Sequence, residues 1–183
     1  MKRSELQSNL GMMVVLLGLA MFFATLFMGY AIYRTSADVW PPQGMLKISL
    51  LLPSLSTLVI FLSGLTCYQT VANIKISDMK LANKNLDRTL VLGLAFMVLQ
   101  GFLWSHMKSS GVFVYSGIFA SVLYGFTWIH AAHVVAGMVL LVYLKWNLRP
   151  GSTNVLMKAV NVEKFWYFLE LIWIIMFITL FVI

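Results

Sequence analysis

The stretch SGIFASVLYGFTWIHAAHVVAGMVLLVYLKW, residues 116–146, contains a single charged residue, Lys145. An apolar run of this length can cross the roughly 30 Å hydrocarbon core of a bilayer as a helix. Helix is also the conformation in which a lone segment satisfies its own backbone hydrogen bonds in lipid. The stretch therefore predicts a transmembrane helix and makes a membrane protein the starting hypothesis for the whole chain.

Four further apolar runs fall at about 10–33, 48–72, 89–107 and 164–183. They are separated by sequences that end helices: Trp40-Pro41-Pro42-Gln43-Gly44, Lys108-Ser109-Ser110-Gly111 and Arg149-Pro150-Gly151-Ser152. Because 61% of the residues are hydrophobic and 10% are charged, there is too little polar surface for a soluble globule. We predict an all-α, polytopic membrane protein, a bundle of five transmembrane helices, with residues 1–183 as a single domain.

The thirteen Lys and Arg residues fall outside the apolar runs or at their ends and form no polar domain, a distribution that does not favour nucleic-acid binding. With five spans, one side of the membrane carries Lys2, Arg3, Lys75, Lys80, Lys84, Arg88, Lys145, Arg149, Lys158 and Lys164, and the other carries Arg34, Lys47 and Lys108. Two loops, Lys75–Arg88 and Lys145–Lys164, are predicted on the more basic side. The positive-inside rule then predicts a cytoplasmic N-terminus and an external C-terminus, in the inner (plasma) membrane of a cell.

Two histidines lie in the middle of the fourth run. Phe126, His130, His133 and Gly137 share one narrow stripe of the predicted helix. Because polar groups in hydrocarbon face protein or water, we expect the stripe to point into the bundle or toward a partner. Two interpretations stay open: a functional pair, or two neutral imidazoles that tie helices together through hydrogen bonds.

The sequence favours a chain without a redox cofactor of its own. Histidines one turn apart on one helix cannot ligate both faces of one haem, and the third histidine, His106, lies near the end of another run. A dinuclear copper site needs two cysteines, and Cys67 is the only one. We expect no haem or copper in this chain.

Glu170 is the only acidic residue inside the predicted spans. It shares a helical stripe with Trp166, Trp173 and Phe177, and counting from Lys164 puts it about 10 Å inside the fifth span. An ionised carboxylate is costly there, so we expect it to be protonated or partnered. Gln100 lies at roughly the depth of His133 when the third span is counted inward from Thr89, so it is an admissible hydrogen-bond partner.

Several motifs together resemble subunit III of haem-copper terminal oxidases. Residues 130–137, HAAHVVAG, resemble that family's H-G-x-H-V-x-x-G signature. Residues 52–57 (LPSLST) and 63–66 (SGLT) resemble its L-P-x-x-N-T and S-G-x-T, and 166–173 (WYFLELIW) resemble its W-H-F-V-D-x-V-W. Gly11-Met12, Met21-Phe22-Phe23, the Trp-Pro-Pro turn, Gln100 and residues 117–121 also follow in family order. The resemblance covers most of the chain and matches five-helix members, which lack the first two helices of seven-helix relatives.

The sequence departs from the family pattern at several polar positions. Gly18-Leu19 replaces an intramembrane Ser-Glu pair whose carboxylate reacts with carbodiimide, and Leu103 replaces a second glutamate. Tyr167 replaces a histidine and Glu170 an aspartate. These changes indicate a divergent branch, and they leave open service to nitric oxide reductase instead of an oxygen-reducing enzyme.

The resemblance implies an accessory subunit of a cytochrome c or quinol oxidase in aerobic electron transport. Such a subunit binds the catalytic subunit I within the complex with subunit II, holds phospholipid in a cleft beside the first two helices, and supports proton uptake; haem and copper lie in the partner subunits. We expect lipid or partner contacts at His130, His133, Glu170, Gln100 and Tyr167. The alternatives are an accessory protein of nitric oxide reductase, and a small transporter, for which the expected broken helices and paired acids are missing.

Overall fold

The computed structural model describes residues 3–37, 50–148 and 154–182. Its helices are α1 (Arg3–Ser36), α2 (Leu51–Lys75), α3 (Met79–Ser109), α4 (Ile118–Asn147) and α5 (Val155–Phe177), with a 3-10 turn at Val114–Ser116 and a π-helical turn at Ile178–Val182. All five α-helices are long and apolar enough to cross a membrane, and the described ranges contain no strand. The predicted all-helical bundle of five spans is confirmed. The predicted helix-ending segments Trp40–Gly44 and Arg149–Ser152 lie outside the described residues.

Two helices begin well before the apolar runs that predicted them. α3 begins at Met79 and α5 at Val155, so the predicted loops Lys75–Arg88 and Lys145–Lys164 are largely wrong. The first turns of α3 are polar, and those of α5 are interrupted by Lys158, Asn161 and Glu163, so the predicted runs begin later than the helices. Lys and Leu, present in both segments, are good helix formers. In α5 these turns also bury Val155, Ala159 and Val162 at i, i+4 and i+7 spacing. Hydropathy indicates how much of a helix can enter the bilayer, and the helix itself is longer.

The connection between α2 and α3 is a tight turn of three residues. Ser77 adopts a left-handed backbone conformation with φ 63°, and the Asp78 N–H donates to the Asn73 carbonyl at 2.9 Å. Asp78 then caps α3, because its Oδ1 accepts from the Leu81 N–H at 3.0 Å. The turn fixes α2 and α3 as antiparallel neighbours.

Cross-contacts define the order of the helices. α5 packs against α1, α2 and α4, and α3 packs against α2 and α4. Ser8 of α1 meets Asn161 of α5, and Tyr30 of α1 meets Thr179 beyond α5, so α1 and α5 run parallel. The aromatic core of α5 therefore lies at the centre of the bundle.

Positive charge collects at one end of this bundle. Among the described side chains, Lys75, Lys80, Lys84, Arg88, Lys145, Lys158 and Lys164 belong to that end, here called the basic end, whereas Arg34 and Lys108 belong to the opposite end. An ion pair between Lys145 of α4 and Asp87 of α3 joins two helices there. The charge asymmetry that the sequence predicts is thus present in the folded chain.

Candidate functional site

The indole of Trp166 occupies a junction of four helices. It is 1% exposed, and its Nε1–H donates to Ser63 Oγ of α2 at 3.1 Å. A methyl group on Gly93 of α3 would lie 3.0 Å from Trp166 Cη2, and one on Gly137 of α4 would lie 3.0 Å from Trp166 Cζ3. The ring therefore fits only because both neighbours are glycine. We call Trp166, Ser63, Gly93 and Gly137 the Trp166 junction.

A chain of hydroxyl groups extends from the Trp166 junction along α2 and α3. Ser63 Oγ donates to the Thr89 carbonyl at 3.3 Å, and the hydroxyls of Thr66 and Thr89 are 2.8 Å apart. About two turns further along α5, Trp173 Nε1–H donates to Thr57 Oγ1 at 3.0 Å. The sequence motifs LPSLST and SGLT thus supply the acceptors for both tryptophans of α5, a role that sequence reasoning missed although the motifs were noticed.

His130 lies in an aromatic cage at the same level as Trp173. The centroid of its ring is 5.7 Å from the ring centroid of Trp173, 6.1 Å from that of Phe96 and 6.5 Å from that of Phe23. The side chain is 1% exposed, and neither ring nitrogen has a hydrogen-bond partner among the described residues. His130 is thus enclosed by helices of its own chain, with no interhelical hydrogen bond.

His133 lies one turn away and closer to the surface. Its Nδ1–H donates to the Ile129 carbonyl of its own helix at 2.7 Å, and its ring packs at 5.4 Å from Phe23 and 6.3 Å from Phe22 of α1. The hydrogen bond is intrahelical, so the interpretation of both imidazoles as hydrogen-bonded ties between helices fails. The stripe does point into the bundle, toward α1 and α5.

Glu170 packs against a glycine on α2. A methyl group at Gly64 would overlap the carboxylate, so the absence of a side chain there makes room for it. Glu170 is 8% exposed, and its Oε2 has no hydrogen-bond partner among the described residues. Because α5 begins at Val155, Glu170 lies about 22 Å along the helix from its first residue. Because Gly64 has no side chain, α2 leaves room for the Glu170 carboxylate.

The Gln100 side chain is buried without a hydrogen bond among the described residues, and Tyr167 lies at the surface. Gln100 is 1% exposed, and both its amide atoms lack a hydrogen-bond partner among residues 3–37, 50–148 and 154–182. The hydrogen bond that its depth made admissible is therefore absent. Tyr167 is 39% exposed on the outer surface of α5. The structure brings together His130 and Trp173, and Glu170 and Gly64, and Gln100 makes no hydrogen bond to any of them.

The polar interior combines hydrogen-bonded ties between helices with single polar groups that have no partner within the described residues. In the described parts of the chain, no three His, Cys, Asp or Glu side chains group together in a way that could hold a metal ion. Buried polar groups without partners cost about 1 to 3 kcal/mol each. Packing alone therefore does not explain His130, Gln100 and Glu170, nor the buried oxygens of Asn9, Ser56 and Asn161 that also lack a partner among the described residues.

The family model and the similar proteins that match this chain all describe the same subunit. Residues 4–183 match the family model described as Cytochrome c oxidase subunit III. The chain is 30% identical to Cytochrome c oxidase subunit 3 of Thermostichus vulcanus, over 95% of this chain and 86% of that protein. It is 28% identical to the same subunit of Synechocystis, over 94% of this chain and 74% of that protein, and 29% identical to a probable subunit 3 of Mycobacterium leprae, over 96% and 87%.

The family match spans nearly the whole chain and includes all five helices that position the polar interior. The relatives come from bacteria, and the architecture is that of a multi-pass membrane protein. The chain belongs to the cytochrome c oxidase subunit III family of respiratory haem-copper oxidases.

Proposed function

We propose that this chain is a non-redox accessory subunit that binds and stabilises the catalytic subunit I of a cytochrome c oxidase or quinol oxidase, with haem and copper in its partners. The observation that carries the proposal is the family match over residues 4–183. The interior supports it, because the buried polar groups tie helices together or stand alone and form no ligand set within the described residues.

We infer that the face for subunit I includes the seam between α2 and α5. Tyr167 is 39% exposed there, and Tyr68 of α2 is 57% exposed. Glu170 lies between them at Gly64, with one carboxylate oxygen still unpartnered among the described residues. That oxygen is itself buried, so a neighbouring subunit would contact the exposed tyrosines and not this atom. His130 and Gln100 are enclosed, so their effect on a partner would be indirect, through the packing of α5.

In this proposal the subunit supports proton uptake indirectly, by stabilising subunit I, and not through a carboxylate of its own. Leu19 and Leu103 stand at the family's glutamate positions and cannot ionise. Glu170→Gln keeps the shape and part of the hydrogen bonding but removes the ionisable proton. We expect the oxidase with this variant to start at near-normal rate and to lose activity about as slowly as wild type during turnover. Immediate loss of all activity with the subunit fully bound would instead indicate direct participation in catalysis.

We propose a cytoplasmic basic end, which gives a cytoplasmic N-terminus and an external C-terminus in the bacterial plasma membrane. A reporter fused after Ile183 should then read as external. An internal reporter belongs at Ser77, in the turn between α2 and α3, because the residues near Asn83 are helical. This reporter should read as cytoplasmic, and the reverse pattern would refute the orientation.

Co-purification tests the enzyme assignment. The full chain, tagged and extracted from its native membrane in mild detergent, should bring down a haem-copper subunit I and subunit II, with haem absorbance and oxygen consumption. The named relatives are all oxidase subunits, which favours oxygen over nitric oxide as the substrate of the complex. Recovery with nitric oxide reductase chains and without oxidase chains would refute this proposal and support the alternative.

A further inference from the structure

Three cations form a row on the first turns of α3, at the basic end of the bundle. Lys80, Lys84 and Arg88 follow one another at intervals of four residues, so they lie on one face of the helix at steps of about 6 Å. All three side chains are exposed. We call these three residues the α3 basic stripe.

Other cations at the basic end have an acidic neighbour within the chain. Lys145 of α4 forms an ion pair with Asp87 of α3. Lys75 at the end of α2 and Lys164 of α5 both interact electrostatically with Glu163 of α5. The carboxylates of this end are therefore already engaged with cations outside the α3 basic stripe.

The α3 basic stripe itself has only neutral partners among the described residues. Arg88 donates to the Asn85 amide oxygen at 3.0 Å. Asp78, the acidic residue nearest to Lys80 in sequence, accepts from the Leu81 N–H and so caps the helix. Residues two positions apart on a helix do not face each other, so Asp78 does not neutralise Lys80. The stripe thus presents three uncompensated charges to its surroundings.

This arrangement is unfavourable for the isolated helix. Like charges four residues apart on a helix repel each other, and cations near a helix N-terminus oppose the helix dipole. Lys80 lies in the first turn of α3, which contains no acidic residue. The positive-inside rule explains why cations collect at one end of the bundle, but not why three of them share one face without a counter-charge. The α3 basic stripe therefore points to negative charge supplied from outside the chain.

Most of the α3 basic stripe lies beyond the reach of lipid headgroups. The apolar run of α3 begins at Thr89, and Lys80 is nine residues, or about 14 Å, further out. The headgroup layer on each side of a bilayer is about 5 to 8 Å thick. Side chains of a helix also lean toward its N-terminus, which in α3 is the end away from the bilayer. These dimensions favour a protein partner outside the hydrocarbon over a lipid.

We propose that the α3 basic stripe docks an acidic segment of a neighbouring subunit of the complex, which lies alongside the first turns of α3 just outside the bilayer. Asp or Glu at every fourth position of a helix has the same spacing of about 6 Å as the three cations. Charges at the rim of an interface steer association and fix its register. A second copy of this chain is not the occupant, because no two of its six acidic residues are three or four positions apart.

This inference rests on the proposed function, since it requires a complex with other subunits. The two can nevertheless fail separately. An intact oxidase complex in which the α3 basic stripe contacts no carboxylate would refute the inference and leave the proposed function standing. The same contact made to chains of a different enzyme would refute the proposed function and leave the docking surface standing.

The test is cross-linking of the native complex with a water-soluble carbodiimide, which joins a carboxylate to a lysine amine in direct contact. Cross-linked peptides are mapped by mass spectrometry. We expect Lys80 and Lys84 to be linked to Asp or Glu residues of another subunit. The yield of these links should fall in about 1 M salt, because the Debye length is then only about 3 Å.

Matched variants separate the charge of the lysines from their reactivity. The double variant Lys80→Arg/Lys84→Arg keeps the charge and loses the amines, so the subunit should stay bound while the cross-links disappear. Lys80→Gln/Lys84→Gln loses both, and the subunit should dissociate from the diluted complex at about fivefold higher concentration, the effect of two exposed ion pairs. In an SDS titration of the isolated chain, the Gln variant should be as stable as wild type or more stable, because the repulsion between the lysines is gone.

Three results would overturn the proposal. The first is an intact complex in which neither lysine is linked to another subunit. The second is equal retention of the Gln variant and wild type, or a loss of stability of the isolated variant that accounts for its dissociation. The third is a Gln effect that occurs in nanodiscs containing phosphatidylglycerol and vanishes in pure phosphatidylcholine, because the stripe would then bind anionic lipid and not a protein segment.

Discussion

α1 and α5 run side by side, yet they are held in different ways. Only 6% of the most apolar stretch of α1 is buried in the bundle, against 44% of that of α5. α5 places two tryptophans on hydroxyl acceptors of α2 and fits one of them between two glycines. α1 is attached by the aromatic contacts of Phe23 and by hydrogen bonds at its two ends.

The difference shows what holds helices together in lipid. The bilayer is as apolar as a leucine side chain, so burying apolar surface between two helices gains little. Close packing against small residues and hydrogen bonds between helices are what remain. α5 has close contacts with glycines and hydrogen bonds to other helices, whereas α1 has few such contacts or bonds. We therefore expect substitutions in α5 and its neighbours to cost far more than substitutions in α1.

The largest expected effect is that of Trp166→Ala. It empties the Trp166 junction and leaves Ser63 without its donor, and truncating a buried tryptophan costs about 3 to 5 kcal/mol. The measurement is the free energy of unfolding of the purified chain, titrated with SDS in mixed micelles. Met28→Ala, at a residue of α1 that is 63% exposed, is the control and should cost little. Similar costs at both sites would break the distinction between α5 and α1.

Gly137→Val should come next. Its side chain would be forced against Leu169 and Trp166, which lie 2.8 and 3.0 Å from the position of a methyl group, and overpacking costs about 1 to 3 kcal/mol. Ala136→Val, at the adjacent exposed position, adds similar bulk without a clash and serves as the matched control. The same SDS titration measures both, and equal stability of the two variants would contradict the role of Gly137 in accommodating the indole.

Tyr30→Phe tests the attachment of α1. The Tyr30 hydroxyl donates to the Thr179 carbonyl at 2.8 Å, and side-chain hydrogen bonds between transmembrane helices average about 0.6 kcal/mol. We expect a loss of that size in the free energy of unfolding, with Tyr167→Phe, at an exposed residue, as the control. A loss above about 2 kcal/mol would show that α1 is held as firmly as α5.

The smallest expected effect is that of His130→Leu. Because neither ring nitrogen has a partner among the described residues, removing the imidazole relieves an unpaired polar group and offsets the lost contact with Trp173. We expect stability to stay within about 0.5 kcal/mol of wild type or to rise. Gln100→Leu should behave alike for the same reason. A clear loss in either variant would show that the group is hydrogen-bonded in the membrane.

The sequence predicted the features that depend on hydropathy and periodicity. Five helices, the common stripe of Trp166, Glu170 and Trp173 on α5, and the charge asymmetry of the two ends are all present. Helix starts were missed by about ten residues in α3 and α5, because polar helical turns resemble loops in composition.

The sequence pattern could not predict which residues of two helices contact each other. Depth along a helix does not give its rotation, so the pattern could neither pair Trp166 with Ser63 nor exclude a hydrogen bond to Gln100. The two histidines share a stripe, but one is caged and the other reaches its own backbone. The neighbouring helices decide that difference.

The pairing of α1 with α5 has a consequence for biosynthesis. The bond from Asn161 to Ser8 joins residues 153 positions apart, and that from Tyr30 to Thr179 joins residues 149 apart. At translation rates of about 5 to 20 residues per second, α5 leaves the ribosome roughly 8 to 30 s after α1. During that interval α1 resides in the membrane before its partner exists, while α2 and α3 can already close as a hairpin. An insertion chaperone that shields nascent α1 would act in this window, and its loss would expose α1 to proteolysis before it affected the other helices.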